Sequence, residues 1–461
     1  MPSRPRSNTD SNKSITIVIA EDPPSFNPIV ADTGFDALVM ELVMLGMTDV
    51  DPDGNVFPEL AAELPTVDNG GVEMSEDEST MSVIWKMPDD IQWQDGTPVT
   101  ADDVIFTWNA ISDPTNASWI PGSDYIDSVE KIDQYSFKVN YNTIYPGYLT
   151  QFGGEQIAIW LAHYCDPEQG FVAWDCGRRP LSDGPFTLTE WVEDDHMTFA
   201  KNPKYFKAGK PAIDEVIVRI VPDDTVRKTM MQNGDADIDM WINVNTINDL
   251  KDSEVARVSL SPTDRWVMRL FMNEAAKGET DPLASPHPIL SDVRVRQAIR
   301  MAVDVDTINN QIFYGLAHPV WTEFFRPPYV CDVPRPKFDP EAAKALLEQA
   351  GWTDSDGDGI RECNGCSSAE PGHKQEAMTP GNGWNFFRWN NPAVDALIDE
   401  TYTLDEQKRK DTFCAIGDYI NQEVPNPARN GLRVRLPCPW LLGQADHPRT
   451  HPAQRDRCCH R

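Results

Sequence analysis

A turn followed by a capped helix, in residues 91–109, is the stretch that most constrains the fold of this chain. Asp95 and Gly96 are turn residues, because an Asp side chain bonds nearby backbone and Gly tolerates a positive φ. Thr100 and Asp103 have the three-residue spacing of a capping box at a helix N-terminus. The stretch therefore predicts a strand, a tight turn and a capped helix in direct succession.

The hydrophobic pattern alternates between strand and helix periods along the rest of the chain. The β-branched run 15–20 predicts a buried strand, and the alternation in 183–206 predicts a β-hairpin. Helical spacing predicts one helix in 33–48, one that begins at 223 and ends at the C-cap signal Asn233-Gly234, two within 288–315 and one in 339–352. This mixture indicates the α/β class, and a chain of 461 residues exceeds a single core, which predicts two or three domains.

Charge and hydropathy exclude some classes of partner. The net charge of −33 argues against binding to nucleic acid and to anionic membrane surfaces. We find no run of 18 apolar residues, so no transmembrane span is predicted. The polar residues 1–14 lack an apolar h-region, so no signal peptide is visible.

The nine cysteines favour a small disulfide or free thiols over a metal site. Cys165 and Cys176 lie in one predicted loop and could pair outside the cytosol. Cys363 and Cys366 form a lone C-x-x-C, whereas a zinc site needs a second such pair. Acidic clusters at 235–239 and 354–358 are interpreted as structural, so neither a metal nor another cofactor is predicted.

The motif W-x-D-G-T-P-V-T-A-D-D-V at 93–104 resembles the peptide-type (family 5) extracellular solute-binding proteins of ABC importers. Four further stretches support the resemblance in the expected order: DGPFTLTEW (183–191), NGDADID (233–239), SDVRVRQAIRMAVDVDTI (291–308) and FDPEAAKALLEQAGWTDSDGDGIRE (338–362). Five motifs in register make the resemblance specific.

The resemblance implies a bilobal periplasmic-binding-protein type II (cluster C) fold with an extra subdomain in the first lobe. The predicted division is a disordered N-terminus (1–13), a discontinuous first lobe (14–48 and 181–262), the extra subdomain (49–180), a second lobe (263–427) and a disordered tail (428–461).

The family function implied is capture of a peptide between the lobes and its delivery to a membrane ABC permease. Relatives act without catalysis, usually as monomers, outside the cytoplasm and often as lipoproteins. An oligosaccharide is an alternative ligand because Trp faces suit sugar rings, and a nickel chelate or haem is less favoured. A secreted hydrolase is the alternative from another class, but we find neither G-x-S-x-G nor H-E-x-x-H.

By the same resemblance, several residues are expected to contact the ligand. Carboxylates and amides would orient the ligand, while aromatic and Met side chains would form its walls. These candidates are Glu21, Asp22, Phe26, Trp119, Trp266, Met272, Asn273, Trp384 and Asn385. The three arginines of 291–308 are expected to be solvated or paired with carboxylates.

Two departures from the family pattern predict an incomplete second lobe. Only about 28 residues separate Glu362 from the predicted helix 391–400, too few for the strands and helices expected there. Residues 429–461 contain seven Arg, three Cys and three His, a basic composition opposite to that of the preceding chain. A non-functional truncated product is therefore a further alternative.

Overall fold

The computed structural model describes a large part of the chain in two compact units. The described residues are 13–27, 34–51, 54–113, 122–153, 158–160, 162–165, 175–240, 242–258, 266–267, 270, 272–276, 278–279, 282–322, 324, 329–364, 389, 391–424 and 431–434. We call the described residues up to Pro262 the first unit and those within Thr263–Leu436 the second unit.

The first unit contains eleven strands and five α-helices among its described residues. The strands are β1 (Ser14–Ile19), β2 (Thr48–Val50), β3 (Val56–Pro58), β4 (Val72–Met74), β5 (Met81–Lys86), β6 (Ile126–Asp133), β7 (Ser136–Tyr141), β8 (Phe186–Val192), β9 (His196–Lys201), β10 (Glu215–Ile220) and β11 (Ile238–Asp239). The helices are α1 (Gly34–Val43), α2 (Ala101–Ser112), α3 (Tyr148–Gln151), α4 (Asp224–Asn233) and α5 (Val244–Leu250).

The main sheet of the first unit has the order β11-β1-β10-β9-β8. The predicted strand 15–20 is confirmed as β1, which pairs in parallel with β10 and β11. The predicted hairpin 183–206 is confirmed as the antiparallel pair β8–β9. Ile17, Val218 and Phe199 are buried in one core cluster with Val39 and Val43 of α1. A β-branched central strand is favoured here because it fills the space between sheet and helix.

Helix α1 ends at Val43, earlier than the helix predicted for 33–48. The backbone N–H of Leu45 donates to the buried Asp183 carboxylate at 3.1 Å, and that of Met47 donates to the Phe152 carbonyl at 2.6 Å. These tertiary hydrogen bonds replace the helical ones, so the local sequence pattern overestimates the length of the helix.

A second sheet, β4-β5-β7-β6, lies in the segment predicted as an extra subdomain. The capped helix predicted after Thr100 is confirmed as α2, and the Asp103 carboxylate accepts from the Thr100 N–H at 2.9 Å. Gly96 has a φ of 91°, as the predicted turn requires. The assignment of 49–180 to a separate subdomain stays a prediction.

The second unit has short strands and five α-helices among its described residues. The strands are β12 (Trp266–Val267), β13 (His318–Val320), β14 (Trp352–Thr353), β15 (Glu362–Cys363) and β16 (Gly431–Val434). The helices are α6 (Val293–Ala302), α7 (Val305–Ile312), α8 (Pro340–Gln349), α9 (Pro392–Glu400) and α10 (Glu406–Glu423). No helix in the described ranges has both the length and the apolar character needed to cross a membrane.

Strand β16 lies inside the segment predicted as a disordered tail. It pairs with β12 on one side and β13 on the other, so these four residues have regular structure. The physical reason is that the backbone groups of two short strands need partners, which a third strand supplies. The other residues of 428–461, and residues 1–12, lie outside the described residues.

Helices α6 and α7 confirm the two helices predicted within 288–315. Asp292 caps α6 and Asp304 caps α7 through hydrogen bonds to backbone N–H groups. Arg296 on α6 is only 3% exposed, so it is paired and not solvated. Its guanidinium binds Glu274 as well as backbone carbonyls, an arrangement that helical spacing alone does not indicate.

Candidate ligand-binding site

The loop 21–27 follows the carboxyl end of the parallel strand β1. Two prolines in EDPPSFN prevent regular pairing, so the chain leaves the sheet at this point. The Phe26 N–H donates to the Gly177 carbonyl at 2.7 Å, and the Ser25 hydroxyl donates to the same oxygen at 3.2 Å. Loops at the carboxyl ends of parallel strands are the usual position of ligand sites in open α/β sheets.

Asp22 in this loop is bound by groups of the β8–β9 hairpin. The Trp191 indole N–H donates to Asp22 Oδ1 at 3.1 Å, and the Asp194 backbone N–H donates to Oδ2 at 2.9 Å. Both carboxylate oxygens therefore already accept a hydrogen bond. A ligand contact through Asp22 would use the remaining lone pairs.

Arg178 lies over the Trp191 ring, with its guanidinium carbon 4.2 Å from the ring centroid. Its Nη2 is also 3.2 Å from a Glu193 carboxylate oxygen, and the arginine is exposed. Arg178, Trp191 and Asp22 therefore form a connected group in which a cation, an aromatic face and a carboxylate adjoin the loop.

Phe26 and Glu21 have contrasting environments. Phe26 is 0% exposed, and its ring packs edge-on against Trp191 at 5.5 Å and near Phe199 at 6.3 Å between centroids. Glu21 is exposed. Glu21 is therefore accessible to solvent, whereas the Phe26 ring lies in the core. The ligand-contact role of both residues stays a prediction.

The predicted pairing of Cys165 with Cys176 is confirmed. The two residues form a disulfide with their Cα atoms 5.5 Å apart. Cys176 immediately precedes Gly177, whose carbonyl binds the 21–27 loop. The disulfide therefore restrains the segment that holds this loop.

Three predicted site residues lie in the second unit. Met272 is 2% exposed, and the Asn273 amide oxygen accepts from the Ala275 N–H at 2.9 Å. This local bond satisfies the Ala275 N–H within its own segment, as Asn side chains commonly do in turns. The backbone of Trp266 lies in β12.

Glu274 adjoins these residues and forms a buried ion pair. Its Oε2 is 3.0 Å from Nη1 of Arg296, while no described residue forms a hydrogen bond with Oε1. Burial raises the pKa of Glu274 to about 7, although Arg296 opposes the shift. Arg296 also donates to the Glu423 and Leu290 carbonyls at 2.7 Å each, so the pair joins α6 to the end of α10.

Trp119, Trp384 and Asn385 lie outside the described residues. The sequence reasoning did not single out Trp191, Arg178 or Glu274. One signal was available for Trp191, which lies in a predicted hairpin. A half-buried indole N–H requires a hydrogen-bond acceptor, so an acceptor near this residue could have been expected. No comparable signal indicated Arg296, since its burial depends on residues more than a hundred positions away in the chain.

The acidic loop after α8 brings three carboxylates together. Asp354, Asp356 and Asp358 are exposed, and one oxygen from each lies within 4.8 Å of the others. Asp354 accepts from the Gly357 N–H at 2.7 Å and the Gly359 N–H at 3.1 Å. These bonds fit a self-capped turn.

Comparison with known proteins agrees with this architecture. The sequence model of a protein family, described as bacterial extracellular solute-binding proteins, family 5 Middle, matches residues 55–385 of this chain. The chain belongs to this family. The family-5 chain is 26% identical over 357 residues to the oligopeptide-binding protein AppA of Bacillus subtilis, covering 75% of this chain and 60% of that protein.

A second relative is the nickel-binding periplasmic protein of Escherichia coli. It is 27% identical over 323 residues, covering 68% of this chain and 56% of the relative. The matches thus span 60% of the length of AppA and 56% of the length of the nickel-binding protein.

The fold is that of the solved family structures. The structure of AppA from Bacillus subtilis in complex with a nonapeptide superposes with a TM-score of 0.67 at 19% identity, covering 90% of this chain and 93% of that structure. The mixed α/β fold predicted from the motifs is therefore confirmed. The relatives named here are binding proteins.

Proposed function

We propose that this chain is the solute-binding component of an ABC import system, which captures a peptide and delivers it to a membrane permease. The family match over residues 55–385 carries the proposal. The nonapeptide in the AppA structure and the name of that relative support peptide as the ligand class. The chain acts by binding and not by catalysis.

The proposed location is outside the cytoplasm. Two disulfides, Cys165–Cys176 and Cys331–Cys414, support it because such bonds persist in oxidising compartments. The net charge of −33 is compatible with solubility there and disfavours nucleic-acid partners.

Ligand-dependent thermal unfolding of the purified chain tests the proposal. Pools of di- to pentapeptides, oligosaccharides and nickel chelates are added separately. A ligand at a hundredfold excess over its Kd stabilises the folded state by about 2.7 kcal/mol, which raises Tm. We expect the peptide pool to raise Tm and the other pools to leave it unchanged. A cooperative transition that no peptide pool shifts would contradict peptide binding.

The site residues are tested in the same assay. We propose Glu21 and Asn273 as accessible contacts, with Asp22, Phe26, Trp119, Trp266, Met272, Trp384 and Asn385 as the remaining candidates. Glu21→Gln is expected to reduce the peptide-induced rise in Tm. Glu73→Gln is the matched control, because Glu73 is exposed on β4. Equal rises in the two variants would exclude Glu21 as a contact.

A further inference from the structure

A cavity of about 320 Å³ lies wholly within the second unit. It is bounded by the start of α7, by β13 and by the segment before α8. Its wall includes Asp306, Pro319, Trp321, Arg335, Pro336 and Phe338. This volume is at the lower end of the range of small-molecule sites, so it suits a ligand of amino-acid size.

The cavity is lined by two acidic and two basic side chains, and one acidic and one basic residue among them pair with each other. Asp304 caps α7, accepting from the Thr307 N–H at 3.0 Å and its hydroxyl at 2.6 Å. Lys337 pairs with Asp339, which does not line the cavity, with Nζ and Oδ2 2.6 Å apart. The remaining pair is Asp306 with Arg335.

The Asp306–Arg335 pair can exchange partners. Nη2 of Arg335 lies 2.5 Å from Oδ1 of Asp306, and the two side chains are 47% and 59% exposed. Exposed ion pairs contribute only about 0–1 kcal/mol to stability, so opening this pair costs little. A ligand that carries both charges would present its anionic group to Arg335 and its cationic group to Asp306, and would thereby replace their ion pair with each other.

Apolar groups beside this pair define the rest of the ligand. The Trp321 indole N–H donates to the Val333 carbonyl at 2.6 Å, which fixes the ring. The Arg335 guanidinium lies over that ring, 5.5 Å from its centroid. Phe338 is 45% exposed, so an aromatic surface remains accessible at the rim.

We propose that this cavity binds a free zwitterionic amino acid with an aromatic side chain. Arg335 binds its carboxylate in a charge-assisted pair, Asp306 binds its ammonium group, and the aromatic side chain packs against Trp321 and Phe338. The cavity involves none of the predicted peptide contacts. The inference is therefore independent of the proposed transport function.

Isothermal titration of the full chain with L-tryptophan tests the inference. Tryptamine lacks the carboxylate, and indole-3-propionate lacks the ammonium group. We expect tryptophan to bind with one-to-one stoichiometry and each analogue to bind at least about tenfold more weakly, because each loses one charged hydrogen-bond pair. An analogue that binds as well as tryptophan would overturn the assignment of a zwitterion.

Variants locate the binding. Arg335→Gln and Asp306→Asn are each expected to weaken tryptophan binding about tenfold or more. Arg361→Gln is the matched control, because Arg361 forms an ion pair with Glu348 at 3.3 Å outside the cavity. Circular dichroism verifies that each variant is folded. Unchanged affinity in both cavity variants, or no tryptophan binding to the parent chain, would overturn the proposal.

A competition experiment separates this site from the proposed peptide site. Tryptophan is titrated into the chain with and without the peptide pool that raises Tm. Unchanged tryptophan affinity and stoichiometry support a separate site, whereas displacement by peptide would overturn it. If no pool raises Tm, the variant titrations still decide the inference, and only the transport proposal fails.

Discussion

In the first unit, β1 pairs with β10 over six residues, whereas the described strands of the second unit are two to four residues long. The second unit uses other connections. Arg296 and Arg300 on α6 donate to main-chain carbonyls at the end of α10, and a disulfide joins Cys331 to Cys414. Backbone pairing thus gives way to side-chain links where the strands are short.

Side-chain links also accompany a short strand in the first unit. Arg227 is 2% exposed and lies beside β11, the two-residue strand at one edge of the main sheet. Its Nε donates to Asp239 at 3.2 Å and its Nη1 donates to the Val221 carbonyl at 2.7 Å. A buried guanidinium with five donors can satisfy several carbonyls that a short ladder leaves unpaired.

The largest expected effect is loss of the Cys331–Cys414 disulfide. This bond closes 83 residues and Cys165–Cys176 closes 11, so the chain-entropy model predicts stabilisations of about 4.6 and about 2.8 kcal/mol. We expect the double variant Cys331→Ala, Cys414→Ala to lose about 1.8 kcal/mol more free energy of unfolding than Cys165→Ala, Cys176→Ala. Urea unfolding followed by circular dichroism measures both, and equal losses would remove this contrast between the units.

The next effect is that of Arg296→Ala. Removing a buried guanidinium leaves Glu274 and several carbonyls without partners, and breaking such a pair costs about 3–5 kcal/mol. Arg294→Ala on the same helix is the control, because its side chain is 43% exposed and exposed ion pairs contribute little to stability. Thermal and urea unfolding of the two variants should differ accordingly. A similar small loss in both would show that helix packing, and not Arg296, holds α10.

A third effect is a pH dependence from Glu274. Burial raises its pKa from 4.5 to about 7, so the folded state keeps a proton that the unfolded state releases. Its contribution to stability is therefore present below about pH 4.5 and is lost as the pH rises to about 7. We expect the parent chain to lose stability relative to Glu274→Gln across this window.

Urea midpoints at several pH values between 4.5 and 8 measure this loss. Glu341→Gln, which removes an exposed carboxylate on α8, is the control for loss of one charge. At each pH, the stability difference between the parent and Glu274→Gln is compared with that between the parent and Glu341→Gln. If the first difference changes with pH no more than the second, Glu274 is not the responsible group.

Local chemistry predicted the elements whose signals lie close together in the chain. The cap of α2, the β8–β9 hairpin and the end of α4 at Gly234 all follow from a few neighbouring residues. The candidate site was harder to predict from the sequence. Phe26 was predicted as a ligand contact, but its complete burial depends on Trp191 and Phe199, which are distant in sequence.

The sequence by itself determined the α/β class, the capped helices and the family, because turn, cap and periodicity signals act over a few residues. Only the tertiary structure decided that Arg296 is buried, that Cys331 pairs with Cys414 and that Asp306, Trp321 and Arg335 enclose one cavity. These features join segments that are separated along the chain. Burial and pairing depend on distance in space, which residue order does not specify.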